Sequence, residues 1–198
     1  MIRTGTFYSE QTFKEIDLEQ AQLASNEFHD CTFARCSFVE TVFQACRFVN
    51  CVFRRCDLSL VQVSDCSFSA TRFENSKVIG VNWARAHWPA TRLGDSVHFH
   101  KCAISHSTFI GLHLRCMRIQ DCVAVDVDFR ECDLSQADFA GTDLADSLFL
   151  ATNLTQADFS RARNYQIDPS QNIVDEAKFS LPEAMSLLYS MDIVLVEE

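Results

Sequence analysis

The chain has 198 residues, 47% of them hydrophobic, with only 5 Gly and 3 Pro. Its formal net charge of −10 makes nucleic acid a poor direct partner. No run of 18 apolar residues occurs, so no transmembrane helix is expected. The first twelve residues lack the basic and apolar regions of a signal peptide.

Residues 1–12 read as an N-terminal cap, with Tyr8 already in phase with the column that begins at Phe13. From Phe13 a large apolar residue recurs every fifth position. The column is densest at Phe28, Phe33, Phe38, Phe43, Phe48 and Phe53, and it continues to Leu93. It resumes one residue out of phase at Phe99 and runs to Phe159. Neither a helix (period 3.6) nor a flat strand (period 2) produces such spacing, whereas a solenoid with flat sides does. The large residue points inward once per side. The residue two positions earlier (Asn26, Cys31, Cys36, Thr41, Cys46, Cys51) is small because it points inward beside it. The other three positions face water.

Ten cysteines first suggest a disulfide or zinc framework. Nine of them (31, 36, 46, 51, 56, 66, 102, 122 and 132) fall in the small inward slot, and only Cys116 does not. No C-x2-C pair occurs, so buried reduced thiols are expected, with no metal site. At the phase change, Gly94-Asp95-Ser96-Val97-His98 holds one residue too many, and a local bulge is expected. Trp83 and Trp88 precede it and are expected to fill a locally widened coil.

Charge is mixed between residues 13 and 93, which reads as an ordinary solvated surface. Between Asp121 and Asp158 there are nine acids and one base, Arg130. Asp126 and Asp146 should stack on one side of the coil, with Asp121 and Asp138 on the side before it. Ser180-Leu181-Pro182-Glu183 has the form of a helix start, with Ser180 as cap and Glu183 completing a capping box. Leu181, Ala184, Leu187 and Leu188 form an apolar stripe, and Ile193-Val194-Leu195-Val196 reads as a short strand. No arrangement suited to catalysis is present, and no cofactor is implied.

The units Ala137-Asp138-Phe139-Ala140-Gly141, Thr142-Asp143-Leu144-Ala145-Asp146 and Ala157-Asp158-Phe159-Ser160-Arg161 resemble the pentapeptide-repeat family, whose consensus is close to A(D/N)LXX. The resemblance covers residues 13 to about 163. It implies an all-β solenoid, a right-handed quadrilateral β-helix with four pentapeptides per coil. The expected organisation is a cap (1–12), the β-helix (13–163, slipping at 94–98) and a C-terminal capping and dimerisation module (164–198).

A helix and strand after a nearly uninterrupted rod is similar to the DNA-gyrase-interacting group of that family, which includes the Qnr and albicidin-resistance types. Gly80-Val81-Asn82-Trp83, Gln166-Ile167-Asp168 and Phe179-Ser180-Leu181-Pro182-Glu183-Ala184 fit the albicidin-resistance type best. The chain lacks the long projecting loops of many Qnr proteins. The resemblance implies a cytoplasmic homodimer that binds DNA gyrase as a partial DNA mimic and protects it from a poison. Asp121, Asp126, Asp138, Asp143, Asp146 and Asp158 are then the candidate partner contacts. Leu181, Leu187, Leu188, Met191, Ile193 and Leu195 are the candidate dimer contacts. About 36 Å of DNA, the length expected of the rod, carries about 21 charges, so charge mimicry must be local. The other reading is a structural or adaptor protein whose partner is not a topoisomerase.

Overall fold

Five residues make one side of the coil, and twenty make a full turn. The computed structural model describes residues 2–88, 97–191, 193, 194 and 196. Strand Thr12–Lys14 pairs in parallel with Thr32–Ala34, which pairs with Val52–Arg54 and then Arg72–Glu74. Each step advances the chain by twenty residues. One side thus stacks Phe13, Phe33, Phe53, Phe73, Phe99, Ile119, Phe139, Phe159 and Phe179 in nine rungs. Eight steps at strand spacing give about 38 Å. The Phe rings along this side lie nearly parallel, with centroids 4.6 to 5.0 Å apart. Ring stacking of this kind adds to the burial of the apolar surface.

The backbone accounts for the rest of each unit. Phe38 donates to the Asp57 carbonyl one coil on (2.7 Å), Asp57 donates back to Cys36 (3.0 Å), and Glu40 donates to Ser59 (2.9 Å). Two residues after the central one, the chain turns the corner in the left-handed region. Non-glycine residues hold φ between 49° and 62° there, from Glu10 to Arg161. That conformation costs an L-residue about 1–2 kcal/mol. The hydrogen bond donated to the next coil from this same residue offsets the cost.

The small inward residue is also a hydrogen-bonding staple. Cys36 N–H donates to the Cys56 sulfur, and that thiol donates to the Phe33 carbonyl, both at 3.4 Å. Thr142 accepts from Cys122 N–H at 3.3 Å and donates to Ile119 at 2.6 Å. Asn172 accepts from Thr152 N–H and donates to the Phe149 carbonyl. Cys, Ser, Thr and Asn suit the slot because they are short and supply partners for buried backbone groups. The nine slot cysteines are buried and unbridged, as expected. Burial pushes the Cys51 and Cys132 thiols up to about 12.

The stack reaches beyond residues 13 and 163. Phe7–Ser9 already pairs with Glu27–His29, and Tyr8 stacks on Phe28 at 5.3 Å. At the far end, Phe179 stacks on Phe159. Most of the phase change, including Leu93 and Gly94 to Ser96, lies outside the described residues. The pairing across it is described: Phe73 pairs with Phe99, 26 residues later. The coil therefore takes in six extra residues, one whole pentapeptide and one more, where the phase alone suggests one. Trp88 stacks over Phe68, and Trp83 packs between Phe73, Phe99 and Phe109.

The capping box does not form. Ser180 Oγ accepts from Arg161 N–H at 3.2 Å, and Glu183 accepts from Asn164 N–H at 2.7 Å. Both side chains serve the last coil, whose N–H groups have no further coil to bond. A 3-10 turn, Glu183–Met185, leads into the helix Ser186–Ser190. No strand is found at Ile193, Val194 or Val196, and Leu195 lies outside the described residues.

Candidate partner-binding surface

A flat-sided coil turns sequence position into surface position. The third side runs through the bridge column Asp17, Ser37, Asp57, Lys77, Ala103, Val123, Asp143 and Arg163. Its outer corner stacks Gln20, Glu40, Leu60, Gly80, His106, Asp126 and Asp146. With Glu19, this side and corner carry seven acids: Asp17, Glu19, Glu40, Asp57, Asp126, Asp143 and Asp146. Their only Lys or Arg companions are Lys77 and Arg163, which pair with Asp57 (3.3 Å) and Asp143 (3.1 Å). Five acids remain without a Lys or Arg partner among the described residues. The N-terminal half, mixed when read along the sequence, is thus sorted by side, and Asp17, Glu19 and Glu40 join the acids further on.

The six candidate aspartates divide into two kinds. Asp138, Asp143 and Asp158 sit just before the central residue and are half-buried. Their Oδ1 atoms accept from the N–H two residues on, at Ala140 (3.0 Å), Ala145 (3.3 Å) and Ser160 (2.8 Å). This Asx turn is the structural reason for Asp or Asn at that position. Their remaining oxygens are engaged as well. Asp138 accepts from Gln120, Asp143 from Arg163 and Asn164, and Asp158 lies 3.8 Å from Lys178. Burial alone would raise Asp143. The bonds from Asn164 and Ala145 and the Arg163 charge outweigh it and hold the carboxyl below its ordinary value.

Asp121, Asp126 and Asp146 are the second kind. They occupy left-handed corners (φ 51°, 54° and 58°) and are exposed. The corner takes Glu, Gln, Ser, Arg, Leu and Ala elsewhere, so the turn itself requires no acid. Asp126 N–H donates to the Ala145 carbonyl at 2.9 Å, which places Asp146 one coil above it. His106 Nδ1 lies 2.9 Å from Asp126 on the other side. Asp121 lies on the preceding corner, over Gly141, where a Cβ would collide with its carboxylate.

The candidate dimer residues also divide. Leu181, Leu188, Met191 and Ile193 are exposed, Leu181 by 79%. Leu187 is half-buried and packs on the chain's own core. Leu195 lies outside the described residues. Among the described residues, no cluster of three or more His, Cys, Asp or Glu could hold a metal, and no helix is long and apolar enough to cross a membrane.

The family model for the pentapeptide repeat region matches residues 26–96 and 85–159, more than half of the chain. The chain belongs to the pentapeptide-repeat family. A search of curated proteins gives no significant match. Among solved structures, this pentapeptide-repeat protein is similar to full-length QnrB1, a plasmid-mediated fluoroquinolone resistance protein. The TM-score is 0.65 at 20% identity, over 96% of this chain and 92% of that one. A trypsin-treated point variant of QnrB1 matches with the same TM-score at 18% identity, over 98% and 91%. At such identities the likeness is one of fold.

Proposed function

We propose that this pentapeptide-repeat protein binds DNA gyrase as a partial DNA mimic and protects it from a topoisomerase poison. It would act by binding alone, without catalysis, as a homodimer joined through the C-terminal segment. The observation that carries the reading is the column of exposed acids at the third corner. Asp126 and Asp146 stand one coil apart, with Asp121 on the neighbouring corner, and the repeat requires none of the three. Duplex DNA presents charges at regular spacing along an axis, and an acidic corner on a straight rod does the same over a short length. In a dimer joined at the C-termini, two such columns lie near the two-fold axis. A partner that is itself two-fold and basic can then meet both. The full-length fold shared with a fluoroquinolone resistance protein supports the same reading.

The test is a gyrase supercoiling assay with and without albicidin or a quinolone, at about 0.15 M salt, where screening acts over about 8 Å. The parent should protect or inhibit gyrase. The variant Asp121→Asn, Asp126→Asn, Asp146→Asn should lose that effect with little change in melting temperature. A variant as protective as the parent overturns the acidic mechanism. Absence of gyrase from a bacterial pull-down favours an adaptor with another partner.

A further inference from the structure

The side that precedes the acidic corner has the opposite charge. Register places Arg72, His98 and Arg118 in consecutive rungs, beside Arg54, Glu74 and His100. The adjoining corner stacks Arg35, Arg55, Asn75 and Lys101. Arg35 pairs with Glu15 and Arg54 with Glu74, both at 2.8 Å. Arg55, Arg72, Lys101 and Arg118 are exposed and have no ion-pair partner among the described residues. They span three coil steps, about 14 Å. In a chain of net charge −10, four unpaired bases gathered on one side form a distinct field. His98 reports it independently. Burial lowers its pKa, and the Arg118 and Arg72 charges lower it further.

We infer that this basic side, centred on Arg55, Arg72, Lys101 and Arg118, is a second docking surface that holds the phosphate backbone of duplex nucleic acid. Two features favour a duplex. The central residues of these rungs, Phe53, Phe73, Phe99 and Ile119, are buried. The side therefore offers no aromatic face on which single-stranded bases could stack. Charge density decides against an acidic peptide. A duplex carries one charge per about 1.7 Å, so about eight phosphates lie along 14 Å of its axis. An extended peptide over that length has about four residues, with alternate side chains turned away. A straight rod and a straight duplex can keep all four bases within reach of phosphates. The acidic corner lies on the next corner of the coil, so the two surfaces can be occupied separately.

The contact is non-specific, so Kd should fall in the range of about 10⁻⁴–10⁻⁶ M and be strongly salt-dependent. Neutralising about four phosphates gives a slope of log K on log salt near −3.6, or a loss of about 10²-fold between 50 and 200 mM salt. The experiment is fluorescence anisotropy of a labelled 20-base-pair duplex of arbitrary sequence titrated with the full chain. The pair Arg72→Gln, Arg118→Gln should make the slope shallower by about 1.8. Arg47→Gln, on another side, should leave it unchanged. Circular dichroism checks that the variants are folded, and if the pair misfolds, each single variant should lower the slope by about 0.9. Absence of duplex binding at about 50 mM salt overturns the inference. Equal binding of a single strand or a poly-glutamate peptide, or an unchanged slope in folded variants, overturns it too. No gyrase enters this measurement, so its failure and that of the proposed function are separate results.

Discussion

Phe99 lies directly over Phe73, with ring centroids 5.0 Å apart and planes 13° from parallel, although 26 residues separate them. Neighbours elsewhere in the same stack are twenty residues apart. The segment between Trp88 and Phe99 therefore holds six residues more than the coil uses.

Deleting residues 91–96 should restore a twenty-residue coil and leave the stack on both sides in register. Circular dichroism should match the parent, and the melting temperature should stay level or rise, since a shorter connection costs less closure entropy. Loss of cooperative unfolding would show that the segment is needed to join the two parts of the rod.

Phe48 is 1% exposed and stacks between Phe28 and Phe68 at 5.1 Å on either side. Phe48→Ala leaves a void that stacked rungs cannot close, because their spacing is set by backbone hydrogen bonds. The expected cost is about 3–5 kcal/mol in chemical denaturation. A cost under about 1 kcal/mol would mean that the rod relaxes around the gap.

Four turn-forming carboxyls, Asp57, Asp128, Asp143 and Asp158, are held below their ordinary value of 3.8. For Asp128 the main cause is the Arg130 side chain, with burial opposing it. A folded-state pKa below the unfolded one adds stability above the unfolded value. That stability drains away as pH falls through the folded value. The melting temperature should therefore drop as pH falls below 3.8. Asp143→Asn keeps the acceptor of the turn and should flatten part of that drop, while Asp143→Ala should also lower stability at neutral pH. A melting temperature independent of pH through this window would rule out the turn carboxylates as acid-sensitive elements.

Leu188 and Met191 are exposed on the terminal helix and just beyond it, whereas Leu187 packs inward. Leu188→Asp with Met191→Asp should convert the proposed dimer to monomer by light scattering without unfolding the coil. Leu187→Asp should instead lower the melting temperature. A parent that is monomeric at micromolar concentration would refute the dimer.

Nine thiols are buried and Cys116 alone is partly exposed. A thiol-reactive chromophore should titrate about one group in the native protein and all ten in denaturant. Rapid reaction of several thiols would show that the coils open readily.

The period-five column and its small companions were enough to establish a flat-sided solenoid with inward cysteines, because only an inward slot shared with a neighbouring side chain demands both sizes at that spacing. The stacking of Asp126 with Asp146 followed from the same count. A period of five, however, is blind to the insertion of five residues. The sequence reveals the one-residue phase change before Phe99, and only the pairing of Phe99 with Phe73 reveals the further unit. The Ser180 and Glu183 pair matched a helix cap in sequence. Tertiary structure gave it another task, because the last coil leaves Arg161 and Asn164 N–H groups with no strand above them. Sorting of charge by side also needed the fold. Asp17, Glu40 and Asp126 come together on one corner, and Arg55, Arg72 and Arg118 on another, because stacking brings together residues twenty or more apart. A linear reading averages over all four sides and registers only a mixture.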